Sequence, residues 1–466
     1  MNQETKKFIE LAESKDENKC IEYINQHSNF YNIQFDHYYA YYYYKSISPL
    51  MFACVLELTN VAVTLINKNV DLNLQDIHGN SALIYACDKY YNDTVIVDEL
   101  IKNGANLNMI NMYNDTPLLH ACDGNNTKVT IKLIDNNVDL DRQNMFGETA
   151  LFISCIKLRK DVVLALVDKG ADINIPDKKD TTAFTTVMDN DWPDVAIAMI
   201  DKNVDINYKD NGNSTPLMIA CIKNIEFVAI ALINKNAKLD LQNNIGNTAL
   251  MYACSNELEE VATILINKYV KFDLQNNQGQ TALMIACQMK MENIAINMVN
   301  KNADINKQDT SKNTALVYAI YYKLERVILE MINKNTKINM TNNNGHSPLI
   351  LTIDYDLEYI ALKIINNYAN INLNHQDISK CSALMYACHK GMSKVAHRLI
   401  DKNADITLKD IYNKTALMYA CEKKIESVII SLLEKSTDAE HEYVSNNIDK
   451  RCVKVIEYIG GKYDKI

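Results

Sequence analysis

The sequence predicts an all-α solenoid of about twelve helix-turn-helix units, joined by β-turn hairpins and closed by helical caps. Three observations predict it. A seven-residue segment recurs at steps of 33 or 35 residues through most of the 466-residue chain, and a period of that length marks a stack of like supersecondary units. Each copy carries a helix-start signal followed by two apolar stripes at helical spacing. With 48% hydrophobic and 23% charged residues the chain can bury a core, while 12 Gly and 6 Pro are too few for collagen-like, Pro-rich or many-turned β architectures.

The chain opens with Phe8, Ile9 and Leu11, followed by Cys20, Ile21 and Ile24, the pattern of a degenerate helix pair. A terminal unit must cover the apolar face of the stack, so an N-terminal cap is expected over 1–43. Its last part, FDHYYAYYYYKS, holds six tyrosines (38, 39, 41, 42, 43, 44) and is expected to be a Tyr-rich loop, either covering the end of the stack or forming a contact surface.

The repeated segment begins at Ser48 (SPLMFAC) and returns at Ser81, Thr116, Thr149, Thr182, Thr215, Thr248, Thr281, Thr314, Ser347, Ser382 and Thr415. Ser or Thr caps the helix N-terminus, and Pro or Ala follows where a missing N–H costs nothing. Thirteen residues after the cap a second stripe begins, as in Val261, Ala262, Leu265 and Ile266, or Val395, Ala396, Leu399 and Ile400. Between units, Gly or Asn two residues before most caps tolerates positive φ. Asp or Asn five residues before every cap from Asp76 to Asp410 can bond nearby backbone N–H groups.

These signals divide the chain into twelve units at 44–76, 77–111, 112–144, 145–177, 178–210, 211–243, 244–276, 277–309, 310–342, 343–377, 378–410 and 411–437. Two steps of 35 imply two-residue insertions, expected near Tyr90 to Asp93 and near Leu373 to His375. The fifth unit departs most, with Thr185 and Thr186 on its first helix and Trp192 beside Pro193 in its turn. A C-terminal helical cap is expected over 438–466, with Val453, Ile456 and Ile459 facing inward.

On these residues the chain resembles the ankyrin repeat, whose unit is a β-turn and two antiparallel helices with a TPLHxA signature. Gly104 to Asn108 and Gly170 to Asn174 match its GADxN segment. The overall look is similar to the Asn-, Ile- and Lys-rich ankyrin-repeat proteins of giant DNA viruses and protists. One departure matters: the His of TPLH is replaced in every unit, by Met51, Ile84, Leu119 and their equivalents through Met418, so the bracing hydrogen bond that the resemblance implies has no donor at that position.

Chemistry is sparse. Nine of the twelve cysteines (54, 87, 122, 155, 221, 254, 287, 388, 421) share one position of the first helix, where a ladder of small buried side chains is expected rather than disulfides or a metal site. No CxxC, HExxH, phosphate-binding Gly loop or GxSxG occurs, so no catalytic residue, metal ligand or cofactor is expected. The formal charge of −10, with only 5 Arg, argues against nucleic acid. No run of eighteen apolar residues predicts membrane insertion, and residues 1–20 lack an apolar signal-peptide core. A monomer in an intracellular, reducing compartment is expected, the cytoplasm or, for a viral protein, the host cytoplasm.

Surface therefore carries the expected function. The resemblance implies recognition by hairpin tips and the exposed ends of first helices. In the second to fourth units the tips read Ile77 and His78, Met112 and Tyr113, Met145 and Phe146, apolar side chains with no scaffold duty. Tyr321 and Tyr322, ending a first helix, form a second candidate. The chain is expected to be a non-catalytic scaffold that binds a partner protein through its hairpin tips and the concave first-helix surface. The alternative is an adaptor presenting a captured target to other machinery such as a ubiquitin ligase.

Overall fold

The computed structural model of the chain describes residues 2–87, 94–124, 126–202, 204–334, 336–436 and 455. Among these lie twenty-six helices and one two-stranded hairpin. The chain forms two compact units, Met1–Ala237 and Lys238–Ile466.

In the first unit, α1 (Gln3–Glu13) and α2 (Glu17–Gln26) are the expected N-terminal pair, burying Phe8, Ile9, Ala12, Cys20 and Ile24 while Leu11 and Ile21 are half-buried. Phe30 stacks on Phe8 at 5.1 Å and closes this end of the core. The Tyr-rich segment is a β-hairpin and not a loop: β1 (Phe35–Tyr39) pairs antiparallel with β2 (Tyr42–Ile47). Tyr is a strong strand former, and Ala40 and Tyr41 at the turn both have positive φ, the requirement of a tight two-residue hairpin turn. One side of the hairpin packs inward, with Phe35 and Ile47 buried and Tyr39 edge-on to Phe52 at 6.1 Å. Tyr38, Tyr41, Tyr42 and Tyr43 are exposed.

From α3 (Pro49–Val55) and α4 (Thr59–Asn67) onward the helices alternate in short and slightly longer pairs. All twelve expected Ser and Thr caps accept a hydrogen bond from the backbone N–H three residues on. Within each unit, first helices stack on first helices and second on second, as 249–255 on 282–288 and 259–267 on 292–300. The stripe residues Val261, Ala262, Leu265 and Ile266 are buried between them. The second helices start without a polar cap in most pairs. An apolar residue such as Leu58, Leu258 or Met291 stands there and is buried.

Thr94, Asn126 and Arg159 are the exceptions at that position, and Arg159 reaches into the preceding repeat. Its guanidinium is buried, donating from Nη1 to the Ala121 and Cys122 carbonyls at 2.8 Å and from Nη2 to the Thr127 and Thr130 hydroxyls. It thus caps the preceding unit's first helix, which the sequence did not disclose.

The insertion expected near Leu373 to His375 lies earlier. Where no insertion intervenes, a repeat's loop Asx oxygen accepts from the N–H 31 residues on, as Asn306 does from Lys337 and Asn374 from Asp405, but Asn339 accepts from Asn372, 33 residues on. The extra residues therefore follow the helix Glu358–Asn367, where Tyr368 turns extended and donates its hydroxyl proton to the Ile332 carbonyl. Tyr90 to Asp93 and the C-terminal cap residues, apart from a buried Val455, lie outside the described residues.

Candidate functional site

One local device builds every hairpin tip from the second repeat onward. The Asp or Asn five residues before the cap accepts, through its side-chain oxygen, from the N–H groups two and four residues on. Asp76 accepts from His78 and Asn80, Asn111 from Tyr113 and Asp115, and Asn144 from Phe146 and Glu148, at 2.7 to 3.0 Å. The same pair of bonds recurs from Asp177 to Asp410. The residue two before the cap then has positive φ even where it is Asp180, Lys312 or Lys380. At Gly79 a second constraint acts, because a Cβ there would sit 2.9 Å from the Asn111 Cα of the next tip.

Successive tips are joined through their backbones. In the first unit Ile77 N–H donates to Lys45 O, Met112 to His78, Met145 to Tyr113 and Lys178 to Phe146, at 2.8 to 3.2 Å. The Gln preceding the Asx adds a side-chain rung: Gln75 donates to Gly79 O and Ile110 O, and Gln143 to Gly147 O and Pro176 O. With the main chain so engaged, Ile77, Met112, Tyr113, Met145 and Phe146 are left 43% to 61% exposed. His78 is exposed too, its Nδ1 3.3 Å from the Met112 sulfur. The structure brings these six residues onto three hydrogen-bonded neighbouring tips.

Tyr321 and Tyr322 part company. Tyr321 is half-buried, accepts a hydrogen bond from Asn342 Nδ2 at 2.9 Å and packs against Tyr355, so it serves the scaffold, whereas Tyr322 is exposed. The sequence reading passed over Ile245, Ile378, Ile411 and Tyr412, which occupy the same two tip positions in the second unit and are exposed. That signal was present in the sequence, at three and four residues before Thr248, Ser382 and Thr415.

The missing His has a substitute one residue further along the helix. Tyr85, Tyr318, Tyr386 and Tyr419 donate their hydroxyl protons to Asp76, Asp309, Asp377 and Asp410 at 2.5 to 2.8 Å, and Tyr252 accepts from Asn243. Burial first, then the adjacent Asp309 carboxylate, pushes the Tyr318 hydroxyl up to about 12.

The cysteine ladder is buried as expected except at Cys421, which is half-buried, and no described cysteine is in a disulfide. Burial pushes the thiols of Cys54, Cys221 and Cys388 up to about 12 and that of Cys122 up to about 11. Thiols held protonated in this way are poor nucleophiles and poor metal ligands. Among the described residues no group of three or more His, Cys, Asp and Glu is placed to hold a metal ion, and no helix is long and apolar enough to cross a membrane.

The family described as ankyrin repeats (3 copies) matches residues 89–177, 229–309 and 360–443, together more than half of the chain. Among solved structures, the chain is similar to the ankyrin repeat domain of Bcl-3, described as a unique member of the IkappaB protein family. The identity is 24% and the TM-score 0.40, over 48% of this chain and 100% of that one. No curated protein matches.

Proposed function

Because the chain belongs to the ankyrin-repeat family, we propose that it is a non-catalytic scaffold that binds a partner protein through its hairpin tips, centred on Ile77, His78, Met112, Tyr113, Met145 and Phe146. The observation that carries this reading is the combination of locked backbone and outward apolar side chains at three adjoining tips. A preordered surface avoids much of the ordering cost of association, and Tyr and Phe are common interface anchors. Twelve repeats between two caps, with boundaries as the sequence divides them, is the partition on which this reading works.

The test is the double variant Tyr113→Ala, Phe146→Ala. Truncating a central anchor costs about 2 kcal/mol or more of binding, roughly a thirtyfold loss, while exposed substitutions change stability by about 0.5 kcal/mol. A partner captured by the wild-type chain from its native cell should be lost by the variant with the melting temperature little changed. Undiminished capture would place the interface elsewhere.

A further inference from the structure

We propose that the cavity between the last two hairpins is a second binding site, which takes the ammonium end of a lysine side chain presented by a basic segment of a partner protein. This site stands independently of the 77–146 stripe. The cavity measures about 250 Å³ and lies in the second unit, between the tips that begin at Asp377 and Asp410. Its walls are Tyr386, Tyr412, Tyr419 and His389 around Met385, Asp410 is a carboxylate among the lining residues, and no Lys or Arg among the described residues lines it.

Aromatic rings with a nearby carboxylate suit a cationic ligand, because the ring faces carry negative potential. The rings are also held in place. Tyr386 and Tyr419 are tied at their hydroxyls to Asp377 and Asp410, at 2.8 and 2.7 Å, and His389 meets the Tyr419 ring edge-on at 5.6 Å. Burial would raise the Asp410 carboxyl, but hydrogen bonds from Tyr419, Lys414 and Tyr412 outweigh it and hold the group below the usual carboxylate range, so it is charged at neutral pH. The Cys381 thiol on the same wall is pushed up to about 11, by burial first and then by Asp377 and Asp410, a sign of the local negative field.

The chain supplies its own precedent. The Lys414 ammonium lies 5.3 Å from the centre of the Tyr419 ring, so that ring already accepts a cation, and Lys414 is neutralised by Glu422 at 2.6 Å. An anionic ligand would meet Asp410. A purely apolar one would desolvate its charge without compensation. Among the lining residues Ile411 and Tyr412 are exposed, offering apolar contact to residues flanking the lysine. The net charge of −10 favours encounter with a basic partner.

The experiment titrates the full chain with a terminally blocked Gly/Ser peptide carrying one central lysine, and with the same peptide bearing acetyl-lysine. The lysine peptide should bind at least about tenfold more tightly, the equivalent of about 1.4 kcal/mol. Two variants localise the site. Tyr412→Ala removes an exposed ring, and Asp410→Asn removes the charge while keeping a side chain that already builds the same turn at Asn243, where Asn Nδ2 donates to Tyr252. Each should weaken the lysine peptide by about tenfold, Tyr412→Ala with an unchanged melt and Asp410→Asn with the chain still folded. The proposal fails if the lysine peptide does not bind, if acetyl-lysine binds as well, or if Tyr412→Ala binds like wild type. Undiminished binding by a folded Asp410→Asn would overturn the role of charge.

Discussion

At the scale of residues, the tyrosine in ALMYAC is the side chain that makes this variant of the repeat work. A hydroxyl donating to a carboxylate is worth about 1.5 kcal/mol or more, and its removal leaves a carboxylate oxygen short of a partner. Tyr318→Phe should therefore lower the unfolding free energy by about 1.5 kcal/mol in denaturant titrations, with the Asp309 turn loosened. The converse applies at Thr186, which occupies the same position and faces no such brace on Asp177; Thr186→Tyr should stabilise by about 1 kcal/mol. The loss of the TPLH histidine was visible in the sequence. Its replacement was not, because Tyr and Asx lie nine residues apart on different elements and only the folded hairpin brings them together.

At the scale of elements, the helix pair of the fifth repeat is expected to be the weak place, for a different reason from buried hydroxyls. Thr185 and Thr186 are half-buried and their hydroxyls are satisfied by the Thr182 carbonyl inside their own helix. What the pair lacks is the packed volume of Met and Tyr and the brace to the Asx turn. Native-state hydrogen exchange should show 178–210 opening before 244–276 and 277–309, since solenoid stability is a sum of local and neighbour terms. Equal protection in all three would refute this. The N-terminal hairpin shows the opposite limit of sequence reading: six tyrosines looked like an irregular loop because the strands are short, whereas burial of Phe35 and Ile47 at one end gives the hairpin its anchor.

At the scale of the whole molecule, the buried thiols and tyrosines set the alkaline limit of stability. Unfolded Cys and Tyr titrate near 9.0 and 10.0, whereas the folded chain holds Cys54, Cys221, Cys388 and Tyr318 up to about 12. Their contribution is complete below pH 9 and is lost as pH rises through about 9 to 12, because the unfolded chain there binds fewer protons than the folded one. Urea titrations should give a flat stability up to about pH 8.5 and a steep fall above about pH 9.5; a flat profile through that window would contradict the burial. Melts with and without reductant and chelator should superimpose, since no described cysteine is in a disulfide. The ion pairs that link neighbouring repeats, such as Lys169 with Asp135 at 2.8 Å and Lys235 with Asp201 at 3.0 Å, are exposed enough to add little.

The sequence by itself determined the repeat, the caps, the turn-forming Asx residues and the apolar stripes, because each of these is a contact within one unit, written at short fixed spacing. It also pointed to the six tip residues, since an apolar side chain in a turn segment has no local structural reason. The tertiary structure alone decided the features that depend on the next unit: the ladder that locks the tips, the buried Arg159 over the preceding helix end, the position of the insertion after Asn367, and the cavity beside Asp410. Those arise from groups brought together only when one repeat stacks on another, and no spacing within a single unit encodes them.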